Sequence, residues 1–304
     1  METKKENKRL IVSRRALIFW TLFISIGAFL GGICMLVDPS GKIMKMDALL
    51  PYFQVLPVAD KLFQNYVFPG IALIVVNGIT NLVAAALTIA KKKVGYIFGG
   101  VFGLTLMAWI TIQFVIFPTN AMSTLYFVFG LMQAATGAAC YIGSRQSEFV
   151  FNENDYKNVG TKNELVVFFS RTGYTKKLAY ETANESGAAI YEIKTKERIN
   201  GDSGFWWCGR FGSQKLPMPI EELSVDLAAY EKVTICFPVW VFDMCAPMRS
   251  FFAQAKGKIK NAEYVSVHFM NAPFEKIKKE ADEMLSPLTS TYKSVVMRFG
   301  RVKK

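Results

Sequence analysis

The chain has 304 residues, of which 52% are hydrophobic and 20% are charged, and its formal net charge is +12. This composition, with a mean hydropathy of +0.24, excludes a disordered chain and is atypical of an ordinary soluble enzyme. The charges are unevenly distributed, because residues 144–304 hold 43 of the 60. The sequence therefore predicts a membrane-embedded first part joined to a soluble second part.

The first part contains four uncharged segments that are each long enough to cross a bilayer, which takes about 20 apolar residues. A Phe-Pro-Thr-Asn break at residues 117–120 separates the last two segments. We expect an α-helical bundle of four spans, at residues 16–37, 66–90, 94–117 and 121–143. This transmembrane domain covers residues 1–143.

Basic residues near the ends of the spans predict the orientation in the membrane, because Lys and Arg are retained on the cytoplasmic side. They precede the first span, separate the second from the third and follow the fourth: Lys4, Lys5, Lys8, Arg9, Arg14, Arg15, Lys91, Lys92, Lys93 and Arg145. We therefore expect a multi-pass protein of the cell membrane with its N-terminus and its C-terminal domain in the cytoplasm. The positive net charge then fits a lipid bilayer as partner and does not require nucleic acid.

Four amide side chains interrupt the apolar spans. Asn77 and Asn81 are four residues apart on one face of the second span, and Gln113 and Gln133 lie in the third and fourth spans. Two interpretations are open: a small-molecule or quinone site inside the bundle, or hydrogen bonds that hold the helices together. None of the spans contains an ionisable Asp, Glu, Lys, Arg or His, which argues against a proton relay.

The cysteines and the histidine limit the chemistry. The five cysteines form no pair with metal-ligand spacing, so we expect neither a metal site nor a disulfide framework. The sole histidine, His268, excludes a haem held by two histidines of one chain. His268 is either a buried structural residue or a proton donor near a bound ligand.

From Glu164 onwards, short apolar strands alternate with segments of helical period, which indicates an α/β domain with a parallel sheet. A linker at residues 144–162 precedes this domain, which covers residues 163–304. A glycine-rich and aromatic loop is predicted at 199–218, and a helix near Ile220–Tyr230. The five predicted strands are Leu165–Phe169, Ala189–Lys194, Val233–Phe237, Tyr264–Met270 and Lys293–Phe299.

The turn after the first strand has the composition of an anion site. It reads Ser170-Arg171-Thr172-Gly173-Tyr174-Thr175 and opens a helix. Backbone N–H groups, the positive end of the helix and three hydroxyls can all contact a dianion there. The sequence lacks GxxxxGKS and GxGxxG, which argues against a nucleotide-hydrolysing P-loop and a dinucleotide-binding Rossmann site.

The pattern Ser170-x-Thr172-Gly173-x-Thr175 after a first strand resembles the FMN-phosphate loop of flavodoxins. The segment Phe237-Pro238-Val239-Trp240, followed by a helix that starts near Pro247, resembles the region after the third strand in flavodoxin-like reductases. This resemblance covers residues 163–300, and none is found for the membrane half. It implies a five-stranded parallel sheet in the order 2-1-3-4-5, with FMN bound at the carboxyl ends of strands one and three.

The resemblance also assigns site residues. The three hydroxyl side chains and the backbone between them would bind the FMN phosphate, and the segment after the third strand would border the isoalloxazine ring. The loop after the fourth strand would supply a third contact. Trp240 would either stack on the flavin or pack within the domain. The predicted FMN-binding residues are Ser170, Arg171, Thr172, Gly173, Tyr174, Thr175, Pro238, Val239, Trp240 and Asn271.

Three functions are compatible with this reading. The first is a membrane-anchored FMN-binding protein that transfers electrons, from NAD(P)H to a quinone or another membrane-associated acceptor. The second is an FMN-dependent dehydrogenase for a membrane-associated substrate. The third is a membrane transporter or sensor with a regulatory flavodoxin-like module. The last helix of the usual fold is missing, so we expect the membrane bundle or a second copy of the chain to cover one sheet face.

Overall fold

The structure is a computed structural model that describes residues 8–157, 160, 163–285 and 289–303. It divides into two compact units, Met1–Glu148 and Phe149–Lys304, which we call the helical unit and the sheet unit. Lys4, Lys5 and residues 158, 159, 161 and 162 of the predicted linker lie outside the described residues. Each unit is described by itself.

The helical unit contains, within the described residues, four helices that are long and apolar enough to cross a membrane. These helices are α1 Lys8–Val37, α2 Val67–Ile89, α3 Lys93–Ile116 and α4 Ala121–Ser147. Helix α2 includes a π-helical turn at Ile74–Ile79. Between α1 and α2 lie the 3-10 segment Asp47–Val55 and the short helix Ala59–Leu62.

Helix α1 shows how these helices divide their surfaces. Leu10, Leu17 and Ile24 recur at seven-residue spacing and are buried, while Phe19 and Ile26 on other faces are more than half exposed. A spacing of seven residues returns to nearly the same side of an α-helix, so one face packs in the bundle. The apolar faces that remain exposed suit a lipid environment.

Glycines allow helices α3 and α4 to approach closely. A Cβ atom on Gly103 would lie 2.6 Å from the backbone nitrogen of Ala134, and one on Gly130 would lie 2.8 Å from the carbonyl oxygen of Gly103. Only residues without a side chain permit this backbone-to-backbone contact, which is a usual way for membrane helices to associate.

Within the described residues, the sheet unit contains seven strands in a mixed sheet, not the five-stranded parallel sheet that the sequence predicts. The strands are β1 Glu164–Phe168, β2 Ala189–Glu192, β3 Lys232–Trp240, β4 Asp243–Met244, β5 Asn261–His268, β6 Thr289–Arg298 and β7 Arg301–Val302. The main path of the sheet runs β2-β1-β3-β5-β6-β7, with β4 paired to β3. The five longer strands are parallel to one another, whereas β4 and β7 are antiparallel two-residue strands.

The prediction missed β4 and β7 because their hairpin turns have unusual sequences. The turn between β3 and β4 places Val241 and Phe242 at positive φ, and the turn between β6 and β7 does so with Phe299 and Gly300. A two-residue hairpin is normally signalled by Asn-Gly or Asp-Gly. Neither signal is present in these turns, so the sequence pattern did not indicate that a second short strand follows β3 or β6.

Helices pack on both faces of the sheet. Helix α5, Tyr174–Ser186, lies on one face through Ala179 and Ala183. The opposite face buries helices α7, Ala246–Ala255, and α8, Glu275–Leu285, together with side chains such as Phe237 and Tyr264. Among its described residues, this unit also contains one-turn 3-10 helices at Glu153–Asp155 and Leu227–Ala229.

Two predictions for the segment between β2 and β3 are wrong. Residues 199–218 do not form a loop throughout, because helix α6 spans Gly201–Ser213. Ile220–Tyr230 is mostly irregular and contains just the 3-10 turn Leu227–Ala229. The sequence did not predict helix α6, because glycine has a low helix propensity. Tertiary packing, which buries Cys208 and Gly212, stabilises the helix despite its glycines.

The sheet face that carries α5 is partly open within the described residues. Thr291 and Lys293 of β6 are exposed there, on the same side as the buried Val295. Polar side chains remain hydrated on an uncovered face. The expectation that the membrane bundle or a second copy of the chain covers one sheet face stays a prediction. Nearer β1, Phe151 and Tyr156 pack against Tyr180 of α5.

Candidate functional site

The predicted phosphate loop connects the carboxyl end of β1 to the start of α5. Gly173 has φ 86° and is the residue before the first turn of α5. The Ser170 hydroxyl accepts a hydrogen bond from the Gly173 N–H at 3.1 Å, which tightens the loop. Glycine adopts this left-handed conformation without the steric cost that a side chain incurs, so the position of Gly173 in the motif has a backbone reason.

The start of α5 offers hydrogen-bond donors. The first N–H groups of an α-helix have no carbonyl partner within the helix, and in the described part of the chain no side chain caps this end. Thr175, in the first turn, is 2% exposed, and Thr172 is exposed in the loop. The positive end of the helix and the neighbouring hydroxyls form an arrangement that favours a bound anion.

An aromatic side chain that the sequence analysis did not single out lies beside this loop. The ring of Phe149 is 3.0 Å from where a Cβ of Gly173 would be, and its centroid is 4.7 Å from that of Tyr174. Phe149 also packs on Gly300 in the hairpin between β6 and β7. Burial raises the pKa of the Tyr174 phenol. No motif marks Phe149, because it lies in the predicted linker.

Arg171 holds α6 next to the predicted phosphate loop. Its Nη1 donates to the carbonyl oxygen of Ile199 at 3.4 Å, and its Cζ lies 5.4 Å from the centroid of the Phe205 ring. The Arg171 side chain therefore connects the loop after β1 to the aromatic start of α6. The sequence analysis predicted a phosphate contact only for the backbone of Arg171 and did not predict this role of its side chain.

The segment Pro238–Trp240 forms the last part of β3 and is half-buried. The Trp240 ring meets the ring of Phe169, which directly precedes the phosphate loop, at a centroid distance of 5.6 Å and an interplanar angle of 79°. Gly212 of α6 lies against Trp240 on another side. The fold thus brings the predicted phosphate loop and the predicted ring-binding segment together, and Trp240 packs within the domain while keeping part of its surface exposed.

Large apolar side chains are exposed where β3 and β5 end. Val241 and Phe242, in the turn after β3, are 48% and 58% exposed, and Phe269 and Met270 after β5 are also exposed. Trp206 of α6 is 76% exposed. Apolar side chains concentrated at one edge of a domain are unusual on a free protein surface and mark a place where an apolar group binds.

The loop after β5 contains Asn271, which is exposed. Its first residues are tethered: the backbone oxygen of Met270 bonds to His268 Nδ1 at 2.6 Å, and that of Phe269 accepts from Arg298 Nε at 3.0 Å. His268 Nε2 bonds to the Ser294 hydroxyl at 2.6 Å. His268 is buried and both of its ring nitrogens are engaged, so its role in this structure is to fix the loop.

A buried carboxylate in β4 was missed by the sequence analysis. Asp243 is 4% exposed and accepts from the Met244 N–H at 2.8 Å. Lys215 and Arg249 lie 3.2 and 3.5 Å from its oxygens, and Arg249 also pairs with Glu280. Burial alone would raise the pKa of Asp243, but the Met244 N–H and the neighbouring lysines lower it below its usual value. This cluster fixes the strained hairpin to α7.

The two cysteines of this region are buried. Cys236 lies in β3 and Cys245 precedes α7, and burial raises the pKa of both thiols, that of Cys236 to about 12. Protonated and inaccessible thiols are poor nucleophiles and poor metal ligands. Across the described residues, no three His, Cys, Asp or Glu side chains form a group that could hold a metal ion.

Comparison with known proteins gives structural neighbours of the sheet unit. No family model matches the sequence, and no curated protein matches it. A flavoprotein solved in complex with FMN, from Lactobacillus acidophilus NCFM, is similar at 18% identity and a TM-score of 0.39, covering 44% of this chain and 93% of its own.

Two further similar structures, both assigned as flavoproteins, come from Bacteroides species, each with a TM-score of 0.39. The one from Bacteroides uniformis ATCC 8492 is 19% identical and covers 44% of this chain and 88% of its own. The one from Bacteroides eggerthii DSM 20697 is 18% identical and covers 43% of this chain and 85% of its own.

Proposed function

We propose that the sheet unit binds FMN and that the protein is a membrane-anchored electron carrier. The observation that carries the proposal is the loop Ser170–Thr175, where a hydroxyl-rich turn opens α5 at the carboxyl end of β1. Next to it lies the half-buried Pro238–Trp240 segment of β3. Parallel α/β sheets bind ligands at the carboxyl ends of their strands, at the point where the strand order reverses.

The residues of this loop fit a phosphate dianion. The Ser170 oxygen already accepts from the Gly173 N–H, which leaves its own hydroxyl proton free to donate. Thr172 and Thr175 add two further hydroxyl donors, and the positive end of α5 favours the negative charge. Charge-assisted hydrogen bonds to an anion contribute about 1.5 to 3 kcal/mol each, enough for tight binding without a lysine.

The apolar surroundings fit an aromatic ring system. Pro238, Val239 and Trp240 would border the isoalloxazine ring, and Asn271 would contact it from the loop after β5. The exposed side chains of Val241 and Phe242 would lose water contact when a ring binds beside them. Binding an aromatic cofactor thus gives a physical reason for apolar groups at this edge.

FMN, when bound, supplies the redox chemistry, since it can accept electrons in pairs and release them singly. The residues of the chain hold the phosphate, shield the ring from water and position the domain. In the proposed overall reaction NAD(P)H loses a hydride and becomes NAD(P)⁺, and the two electrons and one proton of that hydride, with one further proton from solvent, reduce a membrane-associated acceptor such as a quinone to the quinol.

The helical unit would hold this domain at the bilayer. We propose that both termini are cytoplasmic, because Lys91 and Lys92 between α2 and α3, and Lys93 at the start of α3, would then lie on the side where basic residues are retained. The sheet unit would then lie next to anionic lipid headgroups, which attract a domain in which Lys and Arg outnumber Asp and Glu. A fluorescent-protein fusion at the C-terminus should be bright in cells if this orientation holds, and dark if the terminus is exported.

The visible absorption spectrum of the purified full chain tests FMN binding. We expect flavin bands in the wild-type protein and at least a hundredfold weaker FMN binding in Thr172→Ala/Thr175→Ala, because two contacts of about 1.5 kcal/mol or more are lost. The matched control is Thr289→Ala/Thr291→Ala, which removes two exposed threonines of β6 and should leave the bands unchanged.

Addition of NADH or NADPH to the flavin-loaded protein tests the electron-transfer part. Bleaching of the flavin bands without oxygen, and their return when a quinone is added, would support the carrier. Flavin that binds but is not reduced by either nucleotide, or by a flavodoxin reductase, would favour a regulatory module. A colourless protein that FMN cannot reconstitute would refute the proposal.

A further inference from the structure

The four amide side chains of the predicted spans have different environments. Gln133 donates from Nε2 to Asn81 Oδ1 at 2.7 Å and to the carbonyl oxygen of Gly99 at 2.6 Å, so these side chains connect α2, α3 and α4. Gln113 Oε1 accepts from the Ser123 hydroxyl at 3.2 Å. These three amides hold helices together, as the second interpretation of the sequence stated.

Asn77 differs from them. It is 1% exposed, and within the described residues neither the nitrogen nor the oxygen of its carboxamide has a hydrogen-bond partner. An amide buried without partners costs about 1 to 3 kcal/mol, so proteins rarely keep one without a reason. Asn77 is one of the residues that line a cavity of about 630 Å³ in the helical unit.

The local backbone around Asn77 is also unusual. Residues 74–79 form a π-helical turn, a feature that is frequent at functional sites. The carbonyl oxygens of Asn77 and Gly78 are taken by side chains, since the first accepts from Asn81 Nδ2 at 2.9 Å and the second from the Ser25 hydroxyl at 2.8 Å. The backbone is thus satisfied here, whereas the Asn77 carboxamide keeps its full hydrogen-bonding capacity for a ligand.

The cavity has the size and lining of a binding site for an uncharged molecule. Ligand pockets typically measure about 300 to 1,000 Å³, and no charged side chain lines this one among the described residues. Its walls are mostly aliphatic, with the rings of Trp109, Phe117 and Tyr126. Among its other polar residues, Asn120 accepts from the Ser123 N–H at 2.9 Å and is therefore partnered.

We propose that this cavity binds a quinone and its quinol, with Asn77 as the hydrogen-bonding anchor. A quinone offers carbonyl oxygens that accept from Asn77 Nδ2, and a quinol offers hydroxyls that donate to Asn77 Oδ1. A carboxamide therefore suits both redox forms, whereas a lysine or a carboxylate would suit one. The aromatic and aliphatic walls suit the ring and its apolar substituents.

The choice of the quinone class rests on the proposed function, in which a membrane-associated acceptor takes electrons from the protein. The site itself stands on the cavity and on Asn77. Binding is therefore the appropriate test, because it can be measured without flavin reduction. If quinone binds and FMN does not, the cavity proposal holds while the electron-carrier proposal fails.

The experiment is equilibrium binding of radiolabelled menadione to the full chain in lipid nanodiscs, with empty nanodiscs as background. We expect saturable binding by the wild type and binding at least tenfold weaker for Asn77→Leu, which keeps the branching at Cγ and replaces the amide oxygen and nitrogen by methyl groups. Ala28→Leu, which fills part of the cavity from α1, should weaken binding to a similar degree.

The matched control is Thr88→Val. Thr88 lies on the same helix, is fully buried and has an unpartnered hydroxyl, but it does not line the cavity. Thr88→Val should bind menadione as tightly as the wild type does, and thermal unfolding should show that all variants fold. Non-saturable binding by the wild type, undiminished binding by Asn77→Leu, or an equal loss in Thr88→Val would overturn the proposal.

Discussion

The two units can be compared through individual buried polar side chains. In the sheet unit, His268 uses both ring nitrogens and Asp243 is surrounded by cations and a backbone N–H. In the helical unit, Asn81 and Gln133 bind each other, but Asn77 next to a cavity has no partner among the described residues. A missing partner alone does not indicate a ligand, because Thr88 Oγ1 and Gln133 Oε1 also lack a hydrogen-bond partner among the described residues. Asn77 is distinguished by two observations together: both polar atoms of its carboxamide lack a partner there, and the residue lines a cavity.

The largest effect that this comparison predicts is at Asp243. The change Asp243→Ala leaves the buried Arg249 with Glu280 as its remaining acidic partner, and we expect a loss of about 2 to 3 kcal/mol in the stability of the sheet unit. Hydrogen exchange of the β3 and β5 amides in the full chain measures it. The helical unit should exchange as in the wild type, and equal acceleration in both units would contradict a local role.

A smaller effect is expected in the helical unit. The change Asn81→Leu removes the Oδ1 atom that accepts from Gln133 Nε2 and the Nδ2 atom that donates to the Asn77 carbonyl oxygen. The free energy of unfolding of the helical unit should therefore fall by about 1 to 2 kcal/mol. Asn77→Leu, four residues earlier, should cost nothing or stabilise the unit, since it removes an unpartnered amide. Unfolding in mixed detergent–SDS micelles compares the two. Equal losses would mean that Asn77 has a structural partner.

The pH dependence of the sheet unit gives a third test. The pKa of Asp243 is lowered in the folded state, so the contribution of its carboxylate is fully present above the unfolded-state pKa of about 3.9. It is lost as the pH falls through the lower folded-state pKa. In denaturant melts, the stability gap between the wild type and Asp243→Asn should be constant from pH 5 to 7 and narrow below pH 4. A gap that widens in acid would contradict this sign.

The sequence indicated the parts of the molecule in which local chemistry decides the structure. The four spans follow from uninterrupted apolar runs, and the parallel pairing of the five long strands follows from their alternation with helices. The order of these strands was an implication of the resemblance to flavodoxins. The loop Ser170–Thr175 was recognisable because a hydroxyl-rich turn before a helix is a short, contiguous motif. Gly173 at φ 86° and Ser170 bonded to its N–H have a geometry consistent with that motif.

Features that depend on distant contacts were not predictable. Phe149 lies far from Gly173 in the chain, and no local pattern connects them. Helix α6 forms in a glycine-rich sequence because tertiary packing outweighs propensity. Asn77 and Asn81 have the same side chain and lie one helical turn apart, so periodicity alone could not show which one binds another helix and which one borders a cavity.

The smallest predicted effect concerns the two short hairpins, which differ in their second turn residue. Gly300 supplies it between β6 and β7, whereas Phe242 adopts φ 63° between β3 and β4. The left-handed conformation costs a side chain about 1 to 2 kcal/mol. Glycine avoids that cost but adds about 0.5 to 1 kcal/mol of unfolded-state entropy. Phe242→Gly should therefore stabilise the sheet unit by about 0.5 kcal/mol in denaturant melts.

The matched control is Phe299→Gly in the other hairpin. Phe299 also has positive φ, but its ring packs edge-on against Phe269 at 5.5 Å, so the loss of that contact should cancel the gain. If a strained Phe242 persists because its ring borders the flavin, Phe242→Gly should weaken FMN binding while it stabilises the unit without cofactor. A destabilised unit with unchanged FMN affinity would mean that Phe242 serves the hairpin itself.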